Sequence, residues 1–256
     1  RDVHLRYEVA RRRLVKAVIL AAGQGTRMRA VGPSKPMVSV EGTALLERVI
    51  TNALNGGVTD FVVVTGYNGQ PIQEYVKNLA GKLPCTITCA DNGDWHLGNG
   101  RSVLAAKPYV DGPFHVLMAD HLFDPEILNI VRKEPLPDHG ARLAVDLRLQ
   151  NPHVDIDDVT KVHTKGDKIV DIGKGITGFN AFDTGVFWCT PGLFTAIEDS
   201  IESAGDDSLS GGVRILAAAE LMGCCDIGDR TWIDVDTPAL LTLAQEAMVE
   251  RATVAV

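Results

Sequence analysis

Residues 16–28 read KAVILAAGQGTRM, and this stretch decides the fold class. The six residues from Lys16 to Ala21 form a short apolar run, which is typical of a buried parallel strand. Gly23 and Gly25 then predict a tight loop, and helical apolar spacing follows over 44–55. A strand, a glycine-rich loop and a helix in that order indicate an α/β fold.

The same alternation continues outward from this loop. Further strand patterns lie at residues 60–65, 85–89 and 114–119. Helical patterns separate or follow them at residues 71–79 and 101–109. Because strands and helices alternate, we predict a doubly wound, mostly parallel, Rossmann-like sheet.

The pattern changes after Pro135. Residues 143–149, 161–163 and 168–172 alternate as antiparallel strands do, and Lys165-Gly166-Asp167 predicts the hairpin turn between the last two. The sequence therefore predicts a smaller antiparallel lobe. The remaining predicted elements are a strand at 181–189 and helices at 191–203, 211–221 and 237–250.

Composition limits the class of protein. The 256 residues are 45% hydrophobic and 23% charged, which is typical of an ordinary globular protein. A net charge of −8 argues against broad binding to nucleic acid or to an anionic membrane. The apolar runs are too short to span a bilayer. We therefore expect a soluble, cytoplasmic protein.

The basic residues of the N-terminus and the cysteines indicate no catalytic site. Residues 1–15 contain five arginines and only two acidic residues, so we interpret them as a basic extension or linker before a single domain at 16–256. The five cysteines form no Cys-x-x-Cys pair with a matching second pair, which argues against a zinc site. Reduced thiols are expected instead.

The glycine loop does not match two common nucleotide-binding motifs. Met28 stands where the third glycine of a dinucleotide-binding fingerprint would be, and no Gly-Lys is followed by Ser or Thr as in a P-loop. A glycine loop remains whose backbone N–H groups can approach phosphates. Arg27 and Lys35 are placed to neutralise the phosphate charge.

The motif LAAGQGTR at 20–27, with Lys35-Pro36 downstream, resembles the signature of sugar-phosphate and alcohol-phosphate nucleotidyltransferases. Six further segments follow: LGNGRSV at 97–103, MADH at 118–121, DDVTKV at 157–162, DIGK at 171–174, FDTGVF at 182–187 and WIDVDT at 232–237. Together they resemble the CTP:inositol-1-phosphate cytidylyltransferases over about residues 15–250. Ala119 departs from the Gly or Ser of many relatives, a small change.

This resemblance implies transfer of CMP from CTP to inositol 1-phosphate, giving CDP-inositol and pyrophosphate by direct in-line attack with Mg²⁺. It implies catalytic roles for Arg27, Lys35, Asp120 and Lys174. The expected nucleotide-binding residues are Leu20, Ala21, Ala22, Gly23, Gly25, Thr26, Asn99, Gly100 and Ser102. The expected acceptor-binding residues are Lys161, Lys174, Asp183 and Thr184.

Carboxylates are the expected metal ligands because Mg²⁺ prefers hard oxygen donors. Asp120 follows a buried strand and is the first candidate, with a helix N-cap as its alternative role. Asp234 is favoured as the second ligand, whereas Asp236 is kept in reserve because it can cap the helix that begins near Thr237-Pro238.

Alternatives stay open for the other assignments. Asn99, Gly100 and Ser102 are assigned to cytosine by the resemblance, but Asn and Ser are also common helix caps. Lys174 and Asp183 can equally be a solvated lysine and a turn aspartate.

Two rival functions remain. The first is a phosphocholine or sugar-1-phosphate nucleotidyltransferase. The second is a non-catalytic regulatory module on the same fold, which has no physical need of Arg27, Lys35, Asp120 and Asp234. In the resembled family this domain is often fused to a membrane-bound phosphotransferase, so a standalone enzyme and an excised domain both fit. The inositol stereoisomer and the oligomeric state stay open.

Overall fold

The computed structural model describes residues 15–32 and 34–254, the last eight of them as backbone only. The predicted basic extension therefore lies almost wholly outside the described residues. The strands are β1 Lys16–Ala21, β2 Ser39–Val40, β3 Thr43–Ala44, β4 Asp60–Thr65, β5 Thr86–Asp91, β6 Phe114–Met118, β7 His121–Phe123, β8 Ala141–Asp146, β9 Lys161–Lys165, β10 Lys168–Gly173, β11 Ala181–Cys189, β12 Met222–Asp226 and β13 Trp232–Asp234. The α-helices are α1 Leu45–Asn55, α2 Gly69–Ala80, α3 Asn99–Ala105, α4 Glu126–Arg132, α5 Gly192–Ala204, α6 Leu209–Ala218 and α7 Pro238–Val254.

The largest sheet of the described residues has nine strands in the order β5-β4-β1-β6-β11-β8-β12-β10-β9. Strands β5, β4, β1 and β6 run parallel to one another. The chain passes from β1 to β4 on one side and later to β6 on the other. In open α/β sheets, the carboxyl ends of the strands at such a switch point form the ligand crevice.

Strand β11 joins the parallel part of the sheet to the antiparallel part. Its end at Phe187–Cys189 pairs antiparallel with β6, and its beginning pairs with β9. Between Asp183 and Phe187 its register with β8 shifts, and Gly185 has φ of +75°. A β-bulge of this kind changes where side chains point.

The predicted doubly wound α/β class is confirmed, and the structure shows how its two parts are joined. The predicted antiparallel strands extend the same sheet rather than forming a separate one, since β8 pairs with β11 and β12. The predicted hairpin at 165–167 is confirmed by the antiparallel pairing of β9 with β10.

Apolar side chains cover both faces of the sheet. One buried cluster includes Val18, Val116 and Phe187, and the other includes Ile19, Phe61 and Phe182. Neighbouring residues of β1 therefore belong to opposite faces, as the pleat of a strand requires. A third, smaller cluster contains Met28, Leu45 and Val235, so the end of the glycine loop is anchored by a fully buried methionine.

Parts of the structure differ from the sequence prediction. The helix predicted over 101–109 ends at Ala105, and a 3-10 turn follows at Lys107–Tyr109, because Pro108 cannot continue the α-helical hydrogen bonds. Strands β7 and β13, each of three residues, pair antiparallel and were not predicted. No α-helix among the described residues is long and apolar enough to cross a bilayer.

Candidate active site

The glycine loop follows β1 and lines a cleft at the carboxyl ends of β1 and β6. Gly25 has φ of +58°, and a Cβ on it would lie 2.5 Å from the Cβ of Lys35. A glycine is therefore required here, both for its left-handed backbone and for the close approach of Lys35. The cleft is lined by Leu20, Ala21, Gly23, Gly25, Thr26, Arg27, Lys35, Pro36, Ala119, Asp120 and Asp236.

Most of the glycine-loop residues that were predicted to bind the nucleotide line this cleft. Ala22 is different: it is 2% exposed, and its carbonyl oxygen accepts a hydrogen bond from Tyr67 N. Ala22 therefore holds the loop against the turn that follows β4.

Lys35 is the central cation of the cleft, and its side chain is only 7% exposed. Its Nζ lies 2.5 Å from Asp120 Oδ2 and 3.7 Å from Asp234 Oδ1, and it also pairs with Asp236. Burial opposes a charged amine, but these carboxylates outweigh it and raise the pKa of Lys35. Lys35 is therefore firmly charged.

The carboxylates come from elements that the fold brings together. Asp120 lies between β6 and β7, and Asp234 ends β13, which pairs with β7 through Asp234 and His121. The short β7–β13 ribbon thus places the two predicted metal ligands side by side. Asp120, His121 and Asp234 each offer a ligand atom within 4.8 Å of the others, and so do Asp158, Asp234 and Asp236.

The capping alternatives for these aspartates are filled by other residues. Asp124 Oδ1 accepts a hydrogen bond from Glu126 N at the start of α4. Thr237 Oγ1 accepts one from Leu240 N at the start of α7. Asp236 instead pairs with Arg27 and Lys35.

His121 was missed as a functional residue, although it lies in the MADH segment next to Asp120. Its Nε2 lies 3.3 Å from Asp234 Oδ2 and its Nδ1 lies 3.7 Å from Asp120 Oδ1. Burial favours neutral imidazole, but the charge and hydrogen bond of Asp234 outweigh it and raise the pKa of His121 to about 9. A histidine directly after a metal-candidate aspartate was the signal that could have identified it.

The charges of Asp234 and Asp236 differ because their neighbours differ. Burial alone would raise the pKa of Asp234, but the positive charge of His121 keeps it below its usual range. Burial and the adjacent Asp234 charge raise the pKa of Asp236 to about 6. Asp234 also belongs to both carboxylate groups, and it stays our predicted second ligand ahead of Asp236.

A second pocket continues from this cluster towards β10 and β11. Its lining includes Asn99, Asp120, His121, Asp158, Lys174, Asp183 and Gly185. Burial raises the pKa of Asp183 to about 6, against the opposing effect of the hydrogen bond from Gly185 N. The Asp183 carboxylate is thus held by the bulge of β11 beside His121.

The predicted acceptor residues do not all reach this pocket. Lys174 and Asp183 line it. Thr184 is fully buried and its hydroxyl donates to the carbonyl oxygen of Ala144, because it follows Asp183 on the strand and points into the sheet core. Thr184 therefore stabilises the pairing of β11 with β8, and it does not line the pocket as predicted. Lys161 Nζ donates to the carbonyl oxygen of Lys174 and lies 5.7 Å from the centre of the Phe179 ring, so it supports the turn that carries Lys174.

The residues predicted to read cytosine have structural contacts. Asn99 Oδ1 accepts a hydrogen bond from Leu209 N and so caps α6 rather than its own helix. Ser102 Oγ accepts one from Asn92 Nδ2 in a buried contact. A Cβ on Gly100 would lie 2.5 Å from the carbonyl oxygen of Asp207. The start of α3 has no side-chain cap, so the predicted alternative of capping this helix is wrong, and Asn99 and Ser102 make their contacts elsewhere. The cytosine role stays a prediction.

Asp158 is the second functional residue that was missed, within DDVTKV. It pairs with Arg27 at 2.7 Å and with Lys174 at 2.7 Å, and so links the two pockets. Burial would raise the pKa of Asp158, but the hydrogen bonds from Lys174 and Arg27 lower it to about 2. Nothing in the sequence distinguishes it from Asp155 and Asp157 nearby.

Comparison with known proteins places this geometry in a family. Residues 17–152 match the MobA-like NTP transferase domain, which is more than half of the chain. The chain belongs to this family. The fold neighbours are consistent with it: the structure of the inositol-1-phosphate CTP transferase from T. maritima aligns with a TM-score of 0.79 and 26% identity, over 91% of this chain and 97% of that one.

This NTP transferase domain also resembles longer proteins. It is 35% identical over 237 residues to the bifunctional IPC transferase and DIPP synthase of Rubrobacter xylanophilus, covering 91% of this chain and 51% of that protein. The corresponding protein of Thermococcus kodakarensis is 33% identical, over 93% of this chain and 51% of its own length. The chain thus spans about half the length of these relatives. These similarities confirm the resemblance seen in the sequence motifs.

Proposed function

We propose that this domain transfers CMP from CTP to inositol 1-phosphate. A phosphate oxygen of the acceptor attacks the α-phosphorus of CTP, the bond from that phosphorus to the bridging oxygen of the β-phosphate breaks, and pyrophosphate leaves. The observation that carries the proposal is that Arg27 and Lys174, from opposite pockets, both lie 2.7 Å from the same carboxylate, Asp158. Phosphates bound by these two cations would lie next to each other, as in-line attack requires.

The nucleotide pocket supports binding of a triphosphate. Backbone N–H groups of a glycine loop, with Arg27 and Lys35 beside them, match the charge and shape of phosphate oxygens. The leaving pyrophosphate gains negative charge in the transition state, so cations fixed before the reaction stabilise it. Lys35 is held by three carboxylates and needs little reorganisation.

The acidic cluster fits a divalent cation, and we propose Mg²⁺. Asp120 and Asp234 offer carboxylate oxygens within 4.8 Å of each other, and Asp234 Oδ1 is buried without a hydrogen-bond partner. Hard oxygen donors of this kind suit Mg²⁺, which when bound would neutralise phosphate charge at the reacting centre. His121 orients Asp234 from the side and keeps it ionised.

The acceptor pocket favours a polyhydroxylated alcohol phosphate. Lys174 supplies a cation for the acceptor phosphate, and the buried Asp183 carboxylate can accept hydrogen bonds from hydroxyl groups. A trimethylammonium group needs an aromatic cage instead. Phe182 and Phe187 are each 1% exposed and belong to opposite faces of the sheet, so β11 cannot direct both at one cation.

A substrate panel tests this function. The purified chain is given CTP, UTP, dTTP or GTP with inositol 1-phosphate, phosphocholine or glucose 1-phosphate, and pyrophosphate release is measured with Mg²⁺ present. We expect CTP with inositol 1-phosphate to give the highest kcat/KM, above phosphocholine by at least about a hundredfold, because a buried polar group left unpaired rejects the wrong ligand. Equal turnover of phosphocholine or a sugar phosphate would favour the rival acceptors. No turnover of any pair would favour the non-catalytic module.

The part of the relatives that this chain does not cover suggests a partner. Their names give a second activity, and the chain covers 51% of their length. We propose that a membrane phosphotransferase, linked to this domain or separate from it, consumes its product. Sequencing the native gene on both sides of the segment that encodes residues 1–256 tests the linked form. A membrane phosphotransferase in the same reading frame would support it, and a stop codon with no such segment would favour a separate partner.

A further inference from the structure

Asp158 occupies a position between the two cations that the proposed reaction assigns to phosphates. Arg27 Nη1 lies 2.7 Å from Asp158 Oδ2, and Lys174 Nζ lies 2.7 Å from Asp158 Oδ1. Each carboxylate oxygen thus has a different cation at charge-assisted hydrogen-bond distance. Phosphate oxygens prefer the same partners at the same distances.

The backbone keeps this carboxylate in place. Asp158 N and Val159 N both donate to the carbonyl oxygen of Asp155, at 3.2 Å and 2.8 Å, and Val159 is buried. The turn is therefore anchored through its backbone, and we expect the Asp158 side chain to stay near the two cations when a ligand enters. The cations are freer to move, since the side chains of Arg27 and Lys174 are 46% and 58% exposed.

We propose that Asp158 determines the anion specificity of the cleft by competing with phosphate for Arg27 and Lys174. A lone anion must separate these ion pairs and then lie beside an uncompensated carboxylate, which repels it. The substrate pair brings phosphate to both cations and adds its nucleoside and alcohol contacts, so it displaces the carboxylate. After transfer, Asp158 re-forms its ion pairs and favours release of pyrophosphate. This role rests on the proposed function for the identity of the product.

Removal of the carboxylate should therefore strengthen the binding of a simple anion. Asp158→Asn keeps the side-chain shape but removes the negative charge. We expect this variant to bind inorganic pyrophosphate about fivefold more tightly than the wild-type chain, because two partly exposed ion pairs no longer compete. The measurement is isothermal titration calorimetry at low ionic strength with no divalent metal, which keeps the carboxylates from acting through a bound ion.

Asp157→Asn is the matched control. Asp157 is exposed in the same turn, and its substitution changes the net charge of the chain by the same amount. Its pyrophosphate affinity should equal that of the wild type. Unchanged or weaker binding by Asp158→Asn would overturn the proposal, and so would an equal gain in both variants, which would show a general charge effect.

The double variant Asp158→Asn/Lys174→Ala tests whether the effect passes through the acceptor cation. If it does, the gain from Asp158→Asn becomes smaller when Lys174 is absent. A full gain without Lys174 would contradict the bridging role. A metal-ligand role for Asp158 alone would leave metal-free pyrophosphate binding unchanged, which also overturns the proposal.

These binding data are independent of turnover. If the domain fails to make CDP-inositol but Asp158→Asn binds pyrophosphate more tightly, the proposed function is wrong and the role of Asp158 stands. If the domain is active, pyrophosphate should inhibit the Asp158→Asn enzyme at about fivefold lower concentration than the wild type. Inhibition at the same concentration would contradict the role of Asp158 in product release.

Discussion

The two pockets of the cleft hold their cations in opposite ways. Lys35, on the nucleotide side, is 7% exposed and is surrounded by Asp120, Asp234 and Asp236. Lys174, on the acceptor side, is 58% exposed and pairs with Asp158. A buried cation in a dense charge network is fixed before substrate arrives, whereas an exposed one can adjust. For the proposed function, we infer that the buried lysine stabilises charge and that the exposed lysine selects the acceptor.

The backbone elements that carry the two pockets also differ. The nucleotide loop directly follows β1, which lies between β4 and β6, and is anchored by the buried Met28. The acceptor pocket is assembled from separate elements, with Asp183 on a bulge of β11 and Lys174 just after β10. Changes on the nucleotide side should therefore reduce the rate, and changes on the acceptor side should alter affinity for one substrate.

The largest effect is expected from Asp120→Asn. This change removes a carboxylate from the cluster around Lys35 and His121, and it should lower kcat by on the order of a hundredfold, the loss that follows removal of a main charge stabiliser. The melting temperature should change little, because the Asp120 side chain is partly exposed. Steady-state kinetics and a thermal melt check this.

Asp229→Asn is its control. The Asp229 side chain is 89% exposed and pairs with the adjacent Arg230, away from the cleft. Its kcat should equal that of the wild type. Unaffected turnover in Asp120→Asn, or a loss of activity that only follows a loss of melting temperature, would show that Asp120 has a structural role.

Gly185→Ala should damage the acceptor pocket through the imidazole of His121. Gly185 has φ of +75°, and a Cβ on it would lie 2.5 Å from His121 Nδ1, so the imidazole must move. We expect the KM for inositol 1-phosphate to rise about tenfold, since the displaced imidazole and the shifted Gly185 backbone disturb the part of the pocket that holds Asp183. The left-handed backbone adds a stability loss of about 1–2 kcal/mol.

Gly205→Ala separates these two effects. Gly205 has φ of +66° at the end of α5, and a Cβ on it meets nothing within 4 Å. It should lose stability to a similar degree and keep its KM. A rise in KM in both variants would mean that backbone strain, and not the contact with His121, disturbs the pocket.

The smallest expected effect on catalysis concerns Asp146, which supports the scaffold shared by both sides. This fully buried carboxylate accepts hydrogen bonds from Trp232 Nε1 at 2.8 Å, Asn151 Nδ2 at 2.8 Å and the Arg148 side chain. Trp232 begins β13, the strand that ends at Asp234. Asp146→Asn should therefore cost about 2 kcal/mol of unfolding free energy.

The pH dependence of that loss has a defined sign. Burial alone would raise the pKa of Asp146, but hydrogen bonds from Arg148 and Trp232 lower it below its value in the unfolded chain, about 3.9. The carboxylate therefore stabilises the fold above about pH 4, and this contribution is lost as the pH falls through the folded-state pKa. Thermal melts at pH 7, 5, 4 and 3 should show the difference between wild type and Asp146→Asn shrinking below about pH 4. A constant difference down to pH 3 would exclude this linkage.

The sequence predicted the strands around the glycine loop well because their signal is local. The strand 16–21 and the strand 60–65 were predicted with the bounds that the structure has, and Arg27, Lys35 and Asp120 lie together as expected. A buried parallel strand and the loop after it are consecutive in the chain, so periodicity and motif spacing are sufficient to predict them.

The acceptor side was predicted less well because tertiary contacts decide it. The position of Thr184 depends on a register shift in β11, and the role of Asp158 depends on cations far from it in sequence. One feature around Lys35 was also not predicted: the pairing of β7 with β13 unites Asp120 and Asp234, but strands of three residues carry too little periodicity to be recognised.

The KM values of two lysine variants test the division between the pockets most directly. Lys174→Ala should raise the KM for inositol 1-phosphate about tenfold and change the KM for CTP by less than about twofold, because it removes one charge-assisted contact to the acceptor phosphate. Lys35→Ala should instead lower kcat and raise the KM for CTP, and Lys35→Arg should restore only part of the activity, since a guanidinium does not match a point charge. A Lys174→Ala effect confined to the KM for CTP, or unchanged kcat/KM in Lys35→Ala, would contradict this division between the pockets.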